Sequence, residues 1–255
     1  MDLTTIVIFF GVIVVLSIIA IMVSQAREKA RLERARRATA LEDRFKLSQR
    51  LLSDIPSQYL SRDLRRMLLL HAEETCQSLE ALKTDLPTGE WRQRIRKQRE
   101  DLEAGGEGPA ASRIDSKKKT SDIKIDLEHL YRIIETMQKQ GRIDASLAKR
   151  NLKVIIYLLH RVQADYHVHQ AQEATQNQRY RHAIHAYHMA CSALDAVKDH
   201  PSAVKALKSF RGRITELEQA AEQQSGGKAG QDRLEKEWDS FLSEDEWKKK
   251  ADYDD

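Results

Sequence analysis

Cysteine, glycine, proline and aromatic residues are all scarce in this 255-residue chain. Its two cysteines, Cys76 and Cys191, cannot build a disulfide framework, and their distance apart in sequence argues against a zinc site. Ten glycines, four prolines and 6% aromatics leave little material for a sandwich, a barrel or a doubly wound sheet. Catalytic signatures are missing as well. There is no G-x-S-x-G, and Gly227-Lys228 lacks the earlier glycine of a Walker loop. No H-E-x-x-H occurs, and no glutamate precedes a histidine by three residues; only Asp126-x-x-His129 comes near. Neither an enzyme nor a cofactor is expected. What the chain does have is charge, 32% of all residues, together with long helical periodicity, which predicts an all-α protein. The charge is graded. Residues 1–120 carry 22 Lys/Arg against 17 Asp/Glu, whereas residues 231–255 carry 5 against 10.

The one long apolar run, Leu3 to Val23, contains no charge. As a helix it would extend roughly 31 Å, enough for a hydrocarbon core. A cleaved signal peptide is the competing reading, with Ser24-Gln25-Ala26 as its small-x-small site. The missing basic residues before the run and the run's length favour an uncleaved anchor. Directly after it come Arg27, Lys29, Arg31, Arg34, Arg36 and Arg37, opposed only by Glu28 and Glu33. Basic flanks stay in the cytoplasm, so the expectation is a single-pass protein with its N-terminus out and its C-terminus cytoplasmic. The six cations would then lie at anionic head groups. The simplicity of this topology suggests a bacterial inner membrane.

Beyond the expected anchor at 1–23, residues 24–103 read as a basic helical stalk followed by a helical hairpin. Pro56 breaks the stalk, Ser57 or Ser61 can cap the next helix, and Leu60, Leu64, Met67/Leu68, His71, Thr75, Leu79 and Leu82 form its stripe. Residues 104–120 have the composition of a linker. Within them Gly106 to Ala111 formally fits G-x-G-x-x-A, but no strand precedes it and Pro109 interrupts it, so a dinucleotide site is rejected. Residues 121–224 predict four antiparallel helices, with stops near Gly141 and Gln176-Asn177 and a start at Pro201. Residues 225–255 are a Gly-rich linker and a flexible acidic tail.

Tyr180-x-x-Ala183-Ile184-x-x-Tyr187-x-x-Ala190, with Ala171 upstream, resembles the second half of a tetratricopeptide repeat. Small Ala183 and Ala190 would let a paired helix approach closely, and Tyr180 and Tyr187 would fill the seam. Gln178 stands where the family has its turn glycine, and Asp195 where it has its closing proline. The match covers about 34 residues and has no second copy. It implies a helical-hairpin binding scaffold, with Tyr180, Ala183, Tyr187 and Ala190 as partner-binding residues.

Three other patterns remain. Seven of the nine histidines fall between residues 160 and 200, but His182, His185 and His188 drift around their helix by about 60° per step. A solvated face is favoured over a metal site. Arg92, Arg94, Arg96, Lys97 and Arg99, then Lys117 to Lys119, with Trp91 as a stacking surface, suggest nucleic acid. Interleaved acids favour intrahelical ion pairs instead. In the tail, Leu234, Trp238, Phe241 and Leu242 form one ridge, and a Ser243-x-x-Glu246 capping box precedes Trp247. Such anchors suit a partner's groove, or the protein's own helices. The expected function is a membrane-anchored scaffold or adaptor for a protein partner of a membrane-associated complex. The alternative is a membrane tether for nucleic acid or ribosomes.

Overall fold

The computed structural model describes the backbone of residues 3–106 and 109–224, and within these the side chains from Ile18 onward, Ala20 excepted. Among the described residues there are seven α-helices, one short 3-10 turn at Ser57–Tyr59 and no strand. The helices are α1 (Leu3–Asp54), α2 (Arg62–Ala81), α3 (Thr88–Glu103), α4 (Lys117–Lys139), α5 (Ala145–Gln176), α6 (Tyr180–Asp195) and α7 (Pro201–Gln224). The all-α class is as expected.

The membrane-spanning segment is a correction. Among the described residues no helix is long and apolar enough to cross a membrane. The run 3–23 is the start of a 52-residue helix that continues without a break into Arg27, Glu28 and Lys29. The single-pass topology, the outward N-terminus, the cytoplasmic C-terminus and the bacterial inner membrane all depended on that span, and they fall with it.

Local chemistry explains the helix ends. Ser61 caps α2 by accepting from the Leu64 N–H. Ser116 accepts from the Lys119 N–H ahead of α4, and Asp144 from the Ser146 and Leu147 N–H groups ahead of α5. His200 caps α7 with its ring, Nδ1 accepting from the Ser202 N–H at 3.3 Å. Three helices end in the same left-handed wrap, in which the second residue beyond the helix cap bonds back to a carbonyl in the last turn. Gly106 bonds to Asp101, Arg142 to Met137 and Arg179 to Ala174, at 2.7, 2.9 and 2.8 Å. The residue before each donor has positive φ: Gly105 at 85°, Gly141 at 66° and Gln178 at 57°. At Gly106 a Cβ would lie 2.6 Å from the Asp101 carbonyl oxygen, so only glycine fits there.

The chain divides into two compact units. One comprises Met1–Ser112 and His129–Leu152, the other Arg113–Glu128 and Lys153–Asp255, so the boundary cuts α4 and α5. In the first unit, Phe45 of α1, Leu69, Ala72 and Cys76 of α2, and Ile95 and Leu102 of α3 form one cluster, with Leu52 and Trp91 against it. The Phe45 and Trp91 rings stack at 4.4 Å and 9°. Ion pairs Arg92–Glu80, Arg99–Glu73 and Arg142–Glu74 flank these helices. The stretch after α3 is fastened rather than loose: the Ser57 N–H donates to the Pro109 carbonyl at 3.2 Å and Gln58 to that of Ser112 at 2.9 Å. In the second unit, Ala171 of α5, Ala183, Ala186 and Tyr187 of α6, and Ile214 and Leu217 of α7 make the core, with Tyr180, Ile184, Cys191 and Phe210 partly buried against it.

Candidate functional site

The repeat-like hairpin is built by its small residues. Ala171, Ala183 and Ala190 are completely buried and Ala186 nearly so. Side chains this small let helix backbones come close, and larger groups fill what remains. Tyr187, 7% exposed, tilts against Phe210 of α7 with ring centroids 6.0 Å apart. Burial raises its phenol pKa, with Arg213 opposing and Glu216 reinforcing the shift. Of the four residues expected to meet a partner here, Ala183, Tyr187 and Ala190 therefore lie inside the hairpin, and Tyr180 is half-buried against the same cluster. They shape the scaffold. The apolar surface of this unit comes from Ile125, Ile156, Met189 and Val204, each at least 40% exposed.

Gln178 occupies the turn position at which the repeat family uses glycine, and its φ of 57° is the conformation glycine adopts freely. The turn geometry is present without the residue that would relax it.

The other expected site residues are placed as follows. Arg27, Lys29, Arg31, Arg34, Arg36 and Arg37 are all exposed on α1. Among the described residues only Arg37 of these has a carboxylate near, Glu33 at 3.8 Å, in a pair so solvated that it contributes little. Leu234, Trp238, Phe241, Leu242 and Trp247 lie outside the described residues.

On α3, Arg92 and Arg99 are engaged by Glu80 and Glu73, whereas Arg94, Arg96 and Lys97 are exposed. Trp91, read as a stacking platform for bases, already has a ring face against Phe45.

The histidines mostly have structural partners. His160 donates through Nδ1 to the Ala193 carbonyl at 3.0 Å, and His200 stacks on Tyr157 at 4.2 Å while capping α7. His167 bonds Gln163 and Gln170 through its two nitrogens. Burial lowers its pKa against the opposing hydrogen bond from Gln170, and the nearby His185 and Lys117 lower it further. His169 is buried, with the Glu173 carboxylate 3.7 Å from Nδ1. Among the described residues no three His, Cys, Asp or Glu side chains are grouped to hold a metal ion.

One polar contact escaped sequence reading. Ser48 of α1 and His71 of α2 meet at 2.8 Å between Oγ and Nδ1. Ser48 is fully buried and His71 only 8% exposed. The serine hydroxyl donates to the Arg44 carbonyl at 3.0 Å, so the protonated Nδ1 of neutral His71 donates to the serine oxygen. Burial, followed by the Arg44 and Arg142 charges, lowers the His71 pKa to about 4. A serine beside an imidazole is the start of a nucleophilic pair, but this one is buried between two helices and joins them. The histidine's place in the apolar stripe of α2 was the available signal. Both thiols are likewise passive: burial raises the pKa of Cys76 and of Cys191.

The chain was compared with protein-family models, curated proteins and solved structures, and none of the three comparisons returned a match.

Proposed function

We propose that this protein is a helical scaffold that binds a protein partner and carries no catalytic site of its own. The observation that carries the reading is the α5–α6–α7 seam. Alanines and Tyr187 hold the helices together from within, as in repeat hairpins, while Met189 on α6 and Val204 on α7 remain on the outside. The aromatic ridge of the tail, Trp238, Phe241, Leu242 and Trp247, supplies a second contact by its sequence pattern. Large apolar anchors of this kind dominate the binding energy where they enter a pocket. The full chain and a form ending at Gly230 are to be nuclease-treated, washed at two salt concentrations and examined for bound proteins by mass spectrometry. A discrete partner that survives both treatments and is lost with the tail supports the scaffold. Bound material that vanishes with nuclease or salt, unchanged by the tail deletion, overturns it.

The exposed Arg94, Arg96 and Lys97 on α3, with the α1 cations, favour nucleic acid as the second reading. Its signature is steep loss of binding between low and moderate salt. The involvement of Trp91 with Phe45 weakens this reading, because it leaves the basic helix without a free aromatic platform.

A further inference from the structure

A cleft of about 580 Å³ opens at the amino end of α2. That is the size of a small-molecule site. Arg62, the first residue of the helix, and Arg65, one turn later, both line it, facing Leu102, Gly105, Gly106 and Pro109. The two guanidinium groups are underused. Arg62 donates to the Glu103 carbonyl at 3.1 Å and Arg65 to the Gly106 carbonyl at 3.4 Å, the latter long for a hydrogen bond. Neither is within ion-pair distance of a carboxylate among the described residues. The Arg65 Nε is sealed from solvent and has no hydrogen-bond partner. Being sealed, that nitrogen is out of a ligand's reach, and the groups left to meet one are the terminal nitrogens of the two side chains. The positive end of the α2 dipole adds to the potential at the same place.

We propose that this cleft binds a small organic phosphate, with the phosphate group between Arg62 and Arg65. The charge selects the ligand: a phosphate monoester carries about −1.5 to −2 at neutral pH and matches two guanidinium groups, whereas a carboxylate matches one. Its oxygens accept from planar N–H forks in paired fashion, the contact arginine makes best. The volume greatly exceeds that of phosphate itself, and Leu102 with Pro109 forms an apolar wall for the rest of the molecule. Gly106, where a Cβ would collide with Asp101, presents its carbonyl to the Arg65 guanidinium at the edge of the cleft.

The test is calorimetric titration of the full chain with phenyl phosphate, inorganic phosphate and benzoate. Phenyl phosphate is expected to bind saturably, one per chain, and more tightly than either of the others. Arg65→Gln and Arg62→Gln should each weaken it by roughly tenfold, the loss of one charge-assisted contact. Arg62 is exposed, so its variant keeps the fold even if R65Q does not. Arg66→Gln, an exposed cation on the same helix outside the cleft, should change nothing. Absence of saturable binding at millimolar phenyl phosphate overturns the proposal, as do unchanged binding in R62Q, an equal loss in R66Q, or benzoate binding as well as phenyl phosphate.

Discussion

The two units are held together by different means. In the first, large side chains from α1, α2 and α3 meet, a stacked Phe45–Trp91 pair extends the apolar cluster, and ion pairs run along its flank. A buried polar bond, Ser48–His71, lies within it. In the second, four alanines bring α5, α6 and α7 close and Tyr187 fills the remaining space. A core of bulky groups resists the loss of volume or the gain of charge. A core of small groups resists added volume. The same composition of Leu, Ala and charged residues therefore gives two interiors with opposite weaknesses.

Acid tests the first interior most severely. His71 titrates near 4 in the folded protein and near 6.5 unfolded, so above 6.5 both states hold it neutral. Below that the unfolded chain takes up the proton first, and stability falls as pH drops from about 6.5 to about 4. The loss approaches ~3 kcal/mol once the folded form also protonates. Amide exchange measured across this range should show α2 loosening, and His71→Leu should remove that part of the slope. Protection in α2 of the unaltered protein that stays constant across this range, once the intrinsic pH dependence of exchange is divided out, would contradict the assignment.

Added volume tests the second interior. Ala183→Leu forces an isobutyl group into a completely buried position and should destabilise by about 1–3 kcal/mol. Exchange in α6 and α7 should rise while α2 and α3 stay as they were. An equal rise in both units would mean that the two interiors fail together.

The smallest effect sharpens the likeness to repeat hairpins. Gln178 holds φ at 57° at the cost usual for a side chain in left-handed backbone. Gln178→Gly removes that strain but adds freedom to the unfolded chain, for a net gain of up to ~1 kcal/mol. A fall in the melting temperature would show that the glutamine side chain has a stabilising contact of its own.

Much of the helical plan could be read from punctuation. Pro56, Gly141 and Pro201 mark breaks and starts because each acts through its own backbone or the next turn. Contacts between helices are another matter. His71 belonged visibly to the inward stripe of α2, but nothing local announces Ser48, 23 residues earlier, as its partner. Trp91 looked available for the same reason, since the ring that covers it comes from α1. Residues 104–120 have the polar, Gly-rich composition of a linker, yet Ile114 is buried and Pro109 is bonded to the chain before α2. Composition averages over such anchors. The run 3–23 misled differently: a window of hydropathy treats it as a separate object, whereas it is the opening of one continuous, charge-rich helix.

That helix has a mechanical consequence. From residue 21 to 40 nearly every side chain of α1 is exposed, and burial begins only around Phe45 and Ser48. At the α-helical rise this is a bare rod of about 30 Å. Any load applied along it reaches the packed helices through a short grip near residue 45, with the leverage of its whole length. Force pulling sideways on the rod is thus met first by the Phe45–Trp91 stack and the Ser48–His71 bond, the contacts of that grip nearest the exposed length.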